Sequence, residues 1–349
     1  MCSIKYKDSF LSFRFVRLLV VGMLLAGCNS GDEVLPVPIP DETDAVTLSF
    51  DLFRDEGAHA DAVTRDDTGD TVNADETMGV GKMFRIYAYP AGSADFGNSS
   101  GIENYTVQSD LTATGNLRLY RGTYDMYLVS YNSSTEVPVL GTDNSIRVSN
   151  GKDFMYTKLE NIVVQPDKTG EDMMKVTLPK PFTRMGARVV TSVVARNGMQ
   201  PVQPTDLVVN YIKVNGLRKE LAYKLNSSAW ETASSTADAS YTFSDFSLNV
   251  LGQDVYKARV STPGVLLPVD GTQKLTFDVN LTVSYREGSV VKSMTDTYYA
   301  SIEKSLLQGM TYQFDFSLTF YGAIIPTDLT LAIREWTTTD LRGEGLGED

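Results

Sequence analysis

Apolar and polar residues alternate one by one over long stretches of this sequence. In the clearest stretch, Leu275 to Tyr285, every second residue is aliphatic or aromatic, and Thr, Asp, Asn and Ser lie between them. Side chains of an extended chain point to opposite faces in turn, so a period of two indicates a strand with one buried face. The alternation recurs from Tyr312 to Phe320 and from Leu329 to Ile333, ahead of Trp336. This pattern predicts an all-β fold.

Shorter β-branched and aromatic runs earlier in the chain support the same interpretation. They are Phe84–Tyr89, Tyr124–Tyr131, Val189–Ala195 and Leu207–Val214. No stretch longer than about ten residues has the apolar spacing of an amphipathic helix, which disfavours parallel βαβ folds. We therefore expect antiparallel β-sandwiches.

Turn-forming dipeptides suggest how these strands are connected. Asn-Gly occurs as Asn150-Gly151, Asn197-Gly198 and Asn215-Gly216, each between strand-like runs. This dipeptide accepts the positive φ angles of type I′ turns, so each predicts an antiparallel hairpin. Glu287-Gly288 predicts a fourth hairpin.

The length of the chain is enough for two domains. It has 349 residues, of which 322 remain once residues 1–27 are removed as a leader, and domains average about 150 residues. The polar, turn-rich segment 165–171 is the expected boundary. We therefore predict two tandem antiparallel β-sandwiches at 45–170 and 171–340, followed by a polar tail at 341–349.

The N-terminus has the features of a bacterial lipoprotein signal. A basic leader precedes an apolar run from Leu18 to Leu25, which is too short to span a bilayer. Leu25-Ala26-Gly27-Cys28 then matches a lipobox, in which the cysteine thiol is acylated and becomes the new N-terminus. The sequence predicts a signal peptide at 1–27, a palmitate-type anchor on Cys28, a tether at 28–44 and display at the outer membrane surface.

Composition argues against several classes of function. The formal net charge of −13 falls to −16 without the leader, which carries four basic residues and one acidic residue. Such a surface repels phosphate backbones and disfavours nucleic acid binding. The two cysteines are Cys2, in the leader, and Cys28, and the single histidine, His59, has no strand or helix period around it. We therefore predict no catalytic site, no metal site and no cofactor.

Trp230 is the one residue that suggests a different function. It lies in a stretch, 225–239, that is rich in Ser, Ala and Thr and that we interpret as a long loop. An exposed indole could serve as a stacking platform for sugars, and packing against a neighbouring strand is the alternative.

A strand and a polar segment follow the tether directly. Val46, Leu48, Phe50 and Leu52 alternate with polar residues, which predicts a half-buried strand at 45–53. The segment 54–81 that follows has the acidic, small and polar composition of an exposed loop. It contains two arginines, Arg54 and Arg65. A single proteolytic cut in this exposed segment would separate the strand 45–53 from the rest of the chain.

These features together resemble the fimbrillin family of lipidated pilins and fimbrial subunits. The matching segments, in order, are Leu25–Cys28, Ala45–Phe53, Thr64-Arg65, Lys82–Tyr89, Tyr120–Asp125, Met185–Arg188, Leu307–Tyr312 and Leu329–Trp336. The resemblance covers nearly the whole chain after the leader. It implies transthyretin-like sandwiches and assembly by strand exchange.

The resemblance also implies roles for particular residues. A protease cut at Arg65, or alternatively Arg54, would remove the lipid and the first strand together. The vacated groove would accept a strand from another fimbrial subunit, either a copy of this chain or a homologue, by β-augmentation. Leu329, Leu331 and Ile333 are the candidate donated strand. The sequence therefore predicts a fimbrial subunit, with a lipid-retaining anchor subunit or a surface glycan-binding lipoprotein as the alternatives.

Overall fold

The computed structural model describes residues 45–53, 75–76, 78–94, 96–199, 203–231, 238–248, 258–321 and 328–336. Within these ranges every regular element is a β-strand, which confirms the all-β prediction. The first strands are β1 (Ala45–Asp51), β2 (Asp75–Glu76), β3 (Met83–Pro90), β4 (Gly101–Val107), β5 (Thr112–Tyr120), β6 (Gly122–Ser133), β7 (Ser145–Ser149), β8 (Met155–Val164), β9 (Met173–Thr177) and β10 (Phe182–Arg184).

The second half of the chain contributes the remaining strands. These are β11 (Ala187–Met199), β12 (Gln203–Leu217), β13 (Glu220–Lys224), β14 (Ala229–Trp230), β15 (Ala239–Phe243), β16 (Phe246–Leu248), β17 (Arg259–Ser261), β18 (Gly264–Leu266), β19 (Val269–Glu287), β20 (Val290–Leu306), β21 (Thr311–Tyr321) and β22 (Asp328–Trp336). The predicted runs at 84–89, 124–131, 189–195 and 207–214 lie inside β3, β6, β11 and β12.

The first half of the chain forms one nine-stranded sheet, ordered β2-β10-β8-β6-β3-β4-β5-β1-β9. Its inward side chains form a single cluster, which we call the first core. The sheet curls around this core, because Phe182 near one end and Phe50 near the other both lie against Phe84 of the central strand β3. Side chains of β1 and β9 therefore help to close the first core.

The second half forms a sandwich around a second core. One sheet is ordered β16-β17-β11-β21-β22, with β18 also paired to β11, and the other is ordered β15-β12-β19-β20. Side chains of β11 and β21 pack against those of β12 and β19, and Phe277 and Phe314 meet with ring centroids 5.0 Å apart. The alternating run 275–285 supplies its apolar half to this core, as its period predicts.

A small third sheet joins the two halves. Its order is β14-β13-β7, and β7 pairs residue by residue with β13, from Ser145 opposite Lys224 to Ser149 opposite Glu220. An aromatic cluster that includes Tyr87, Phe154 and Tyr223 packs at this junction. The two halves thus share main-chain hydrogen bonds as well as side-chain contacts.

Three details differ from the sequence-based expectations. First, β9 and β10 lie beyond residue 170 but belong to the nine-stranded sheet, so that sheet extends to Arg184. The polar segment 165–171 is the turn between β8 and β9, and such a turn has the same composition as a domain linker. Second, two strand pairs are parallel, β1 with β9 and β11 with β21, so the nine-stranded sheet and the sheet that contains β11 are mixed.

Third, the three Asn-Gly hairpins were predicted wrongly. Asn150-Gly151 connects β7 to β8, which lie in different sheets, and Asn197-Gly198 lies within β11. Asn215-Gly216 lies at a bulge of β12, where Gly216 has φ +84°. Positive φ angles serve bulges as well as turns, so the dipeptide alone could not distinguish them. The Glu287-Gly288 hairpin is confirmed, with Glu287 paired to Val290.

Candidate functional site

Strand β1 lies in a slot between two neighbours, one strand in from the end of the nine-stranded sheet. It pairs antiparallel with β5 on one side and parallel with β9 on the other. The backbone N–H of Thr47 donates to Asp172 O at 2.7 Å, that of Leu52 to Leu111 O at 2.9 Å, and that of Leu178 to Asp51 O at 2.9 Å. We call the space that β1 occupies between β5 and β9 the slot.

The four apolar residues predicted to plug the slot are all buried. Val46, Leu48, Phe50 and Leu52 have exposed fractions of 1%, 0%, 0% and 2%. The polar residues between them, Thr47, Ser49 and Asp51, are half-buried on the other face of the strand. The period-two pattern therefore places the predicted residues where the sequence analysis expected them.

Phe50 occupies an aromatic pocket in the first core. Its ring meets Tyr105 edge-on at a centroid distance of 5.0 Å and Phe84 edge-on at 6.5 Å, and Phe84 stacks on Tyr105 at 5.5 Å. Such edge-to-face pairs contribute about 0.5–1.5 kcal/mol each beyond the area they bury. The pocket therefore prefers an aromatic residue at this position.

The ladder between β1 and β5 is interrupted beside this pocket. Leu48 pairs with Leu117 and Phe50 with Ala113, so the β5 residues 114–116 bulge opposite Ser49. The Tyr105 hydroxyl fills the gap: it donates to Leu48 O at 2.7 Å and accepts from Leu117 N at 3.2 Å. One side chain thus hydrogen-bonds to a main-chain group of β1 and to one of β5 beside the bulge.

Gly115 lies at the centre of the bulge, and its lack of a side chain leaves room for the Tyr105 ring. A Cβ atom on residue 115 would lie 2.6 Å from the ring, so only glycine accepts this approach. Burial raises the pKa of Tyr105 to about 12, because the phenolate would lose its hydration. The hydroxyl is therefore protonated at neutral pH and donates its hydrogen bond to Leu48 O.

A charged pair lies on the outer face of the slot. Lys175 of β9 places its ammonium 2.6 Å from the Asp51 carboxylate, and these side chains are 55% and 18% exposed. The backbone N–H of Lys175 is itself bound to the Asp167 carboxylate at 2.9 Å. The slot thus has an apolar inner side and a basic group at the outer side of one end.

The predicted lipidation and cleavage residues lie outside the described part of the chain. This applies to Cys28, Arg54 and Arg65, and also to His59. In the sequence, Arg54 stands three residues after Asp51, the last residue of β1. The segment that contains both arginines therefore follows β1 immediately.

The candidate donor residues lie in β22, at the end of one sheet of the second sandwich. Leu329, Leu331 and Ile333 pair with Leu318, Phe316 and Phe314 of β21 and pack against the second core, yet they are only half-buried. Strand β21 has β11 as its other neighbour. Among the described strands, β22 therefore pairs with β21 alone, and its three candidate donor residues are less buried than the four apolar residues of the slot strand.

Trp230 packs within the junction cluster. Its ring lies edge-on to Tyr223 at 5.2 Å and to Phe154 at 5.7 Å, and its N–H donates to Met185 O at 3.0 Å. The side chain is half-buried. This packing favours a structural role over a sugar-stacking platform.

The described residues contain no group of three or more His, Cys, Asp or Glu side chains arranged to hold a metal ion. Nor does a helix long and apolar enough to cross a membrane occur in the part of the chain that the structure describes.

Comparisons with known proteins agree with the architecture. A family model described as fimbrillin-like matches residues 66–336, which is most of the chain. The chain belongs to the fimbrillin-like family. This fimbrillin-like chain has no match among curated proteins.

One solved structure shares the fold of this fimbrillin-like chain at low identity, and two others match it with TM-scores below 0.5. A candidate cell adhesion protein from Bacteroides fragilis is 15% identical, with a TM-score of 0.51 over 84% of this chain and 99% of that one. Another, from Bacteroides uniformis, is 13% identical with a TM-score of 0.46, over 85% and 100% of the two chains. The tip fimbrial protein Mfa3 from Porphyromonas gingivalis is 10% identical with a TM-score of 0.37, over 83% and 99%.

Sequence reasoning identified the slot strand but missed the residues that surround it. Tyr105, Gly115 and Lys175 lie far from β1 along the chain and match no motif. The only signal was Gly115 in the middle of a strand-like run, which can mark a bulge or a close contact.

Proposed function

We propose that this protein is a structural subunit of a cell-surface fimbria, matured by proteolysis and joined to its neighbour by strand exchange. The fimbrillin-like family membership supports the fimbrial role. In the precursor, β1 would occupy the slot. In the fimbria, a strand of another subunit would take its place.

The observation that carries the proposal is the position of β1. It plugs the first core with four buried residues, yet it lies one strand from the end of the sheet. Its removal would leave β2, β10, β8, β6, β3, β4 and β5 paired with one another. Removal of a central strand would divide the sheet into two large parts, whereas removal of β1 separates only β9 from the other seven strands.

The same burial explains why the strand would have to be replaced. Burying one large apolar side chain contributes about 1.5–3 kcal/mol, so four such residues contribute roughly 6–12 kcal/mol. The total stability of a domain is about 5–15 kcal/mol. With the slot unfilled, the fold around the first core would therefore have little net stability. The exposed edges of β5 and β9 would pair readily with another strand.

Maturation would depend on residues between β1 and β3. A cut at Arg65, or alternatively at Arg54, would separate the acylated Cys28 and β1 from the rest of the chain in one step. The family match begins at residue 66, directly after Arg65. If the cut does not occur, the protein would remain a lipid-retaining anchor subunit at the outer membrane.

In this proposal the protein has no enzymatic activity, and its partners are fimbrial subunits, an arginine-specific protease and, before cleavage, the membrane. Leu329, Leu331 and Ile333 of β22 would form the strand that it donates in turn. The half-burial of these residues supports that role, because such a strand detaches at less cost than a fully buried one.

Strand exchange in a lipid-free chain, residues 29–349, tests the proposal. The chain is cut with an arginine-specific protease and mixed with an excess of a fluorescent peptide of residues 45–53. We expect the nicked chain to release its own N-terminal fragment and take up the peptide, as measured by native mass spectrometry. The uncut chain should retain its strand.

The Arg54→Ala/Arg65→Ala variant is the matched control, since it preserves the slot and removes both candidate cleavage sites. It should resist cutting between β1 and β3 and should not exchange. A nicked wild-type chain that keeps its fragment until the whole protein unfolds would show that β1 is a permanent part of the fold, and the proposal would fail.

A further inference from the structure

The contacts around β1 define what kind of strand the slot can accept. On the inner side, the Phe50 pocket is lined by Tyr105 and Phe84. On the outer side, Lys175 faces the carboxylate of the next residue, Asp51, at 2.6 Å. The residue after that, Leu52, is 2% exposed. A matching strand therefore has a large apolar residue, a carboxylate and a second apolar residue in sequence.

This chain's own β22 lacks that combination. When it is aligned with β1 so that Leu329 takes the place of Val46, Ile333 falls at Phe50, Arg334 at Asp51 and Glu335 at Leu52. Arg334 would then stand beside Lys175 with the same charge. Glu335 would bury a carboxylate at an apolar position, which is strongly unfavourable.

Shifting this alignment of β22 on β1 by two residues removes both conflicts. It also loses the fit to the Phe50 pocket and to Lys175. Ile333 then takes the place of Leu52, Leu331 that of Phe50, and Ala332 that of Asp51. Lys175 would have no carboxylate partner, and the aromatic pocket would hold a smaller side chain. Thr327 would fall at Val46, which is 1% exposed.

We propose that Lys175 and the Phe50 pocket select the donor strand, and that the partner of this slot is a different subunit. That partner would carry a strand with an aromatic or large aliphatic residue followed by Asp or Glu and a further apolar residue. This inference rests on the proposed function, because it assumes that the slot exchanges its strand. It adds that copies of this chain join one another poorly through β22.

Peptide competition on the nicked, lipid-free chain tests the selection. The first peptide is residues 45–53, the second carries Asp51→Lys, and the third is residues 327–336. Exposed charge pairs contribute modestly, so we expect Asp51→Lys to weaken binding about three- to tenfold. The third peptide should bind at least about tenfold more weakly than the first, because either alignment leaves a buried misfit.

A gain-of-function peptide makes the test sharper. The changes Arg334→Asp and Glu335→Leu convert residues 329–336 from Leu-Thr-Leu-Ala-Ile-Arg-Glu-Trp to a strand with the β1 pattern. We expect this peptide to recover at least about tenfold in affinity over the unchanged one, since the buried carboxylate is removed.

A charge reversal in the protein isolates Lys175. In a Lys175→Glu variant the preference should invert, so that the Asp51→Lys peptide binds more tightly than the unchanged peptide. Lys175→Met should bind both alike. Lys175 is 55% exposed, so neither change disturbs the core.

The outcomes separate this inference from the function on which it rests. If the peptide of residues 45–53 never enters the slot, strand exchange itself fails. If that peptide enters, but the peptide of residues 327–336 binds equally well and reversal of Lys175 has no effect, exchange stands and selection is overturned. Ready formation of long oligomers by the nicked chain alone would also overturn selection.

Discussion

Replacing Tyr105 by Phe tests whether one hydroxyl holds the first strand in place. The change keeps the ring against Phe50 but leaves Leu48 O and Leu117 N without their partner. An unsatisfied buried polar group costs about 1–3 kcal/mol. Two such groups, less the hydroxyl's own desolvation, predict a loss of about 2–4 kcal/mol.

The measurement has an equilibrium part and a kinetic part. Denaturant unfolding of the uncut, lipid-free chain should show the lowered free energy of unfolding in the transition of the first core. After the chain is nicked, release of the labelled N-terminal fragment should be faster by about 30- to 700-fold, since each 1.4 kcal/mol is a factor of ten. Uptake of a peptide of residues 45–53 should weaken by the same factor.

Tyr87→Phe is the matched control for this experiment. The Tyr87 hydroxyl is also buried and accepts from Leu140 N at 2.8 Å, but it lies in the junction cluster, away from the slot. Its loss should lower stability and leave strand release unchanged. Equal effects of the two variants on release would refute the reasoning, since β1 would then leave only through unfolding of the whole half. An unchanged stability of Tyr105→Phe would refute it as well.

Four further outcomes follow from the structure. Gly115→Ala should cost about 1–3 kcal/mol by urea unfolding, because the new Cβ meets the Tyr105 ring at 2.6 Å. The contribution of Tyr105 to stability should be fully present below pH 10 and be lost between pH 10 and about 12, because burial raises the pKa of Tyr105 to about 12 and the unfolded chain ionises first; denaturation at a series of pH values checks this, and Tyr105→Phe should make the fall shallower while leaving the part that Tyr131 and Tyr156 contribute. Arg184→Met should cost about 3 kcal/mol by thermal unfolding, since it leaves the Asp153 carboxylate without its bidentate partner. Trp230→Ala should lower the melting temperature and leave retention on polysaccharide columns unchanged, because the half-buried indole packs against Tyr223 and Phe154.

The sequence was sufficient for features that depend on neighbouring residues. Alternation located the slot strand and its four buried positions, because a period of two directly assigns each residue to a face. It also located the long strands β19 and β21 of the second core. The hairpin at Glu287-Gly288 was predictable because its two strands follow each other along the chain.

Features that depend on distant residues could not be predicted. Nothing in the residues of β9 indicates that it runs parallel to β1, more than a hundred residues earlier in the chain. The bridge made by Tyr105 depends on a bulge in another strand, and the Lys175 pair depends on the register of a third. Pairing between β7 and β13 across the predicted domain boundary was invisible for the same reason.

The two-sided pairing of β1 has a consequence for time as well as for energy. A strand at the end of a sheet can peel away from its single neighbour, but a strand with partners on both sides must break two ladders before it escapes. A guest strand seated there would leave only as fast as its pairing with β5 and β9 breaks and the first core opens, and such openings can take hours or days in stable domains. The durability of a filament built on this joint would therefore be set by a slow rate, and dilution at the cell surface would not dissolve it.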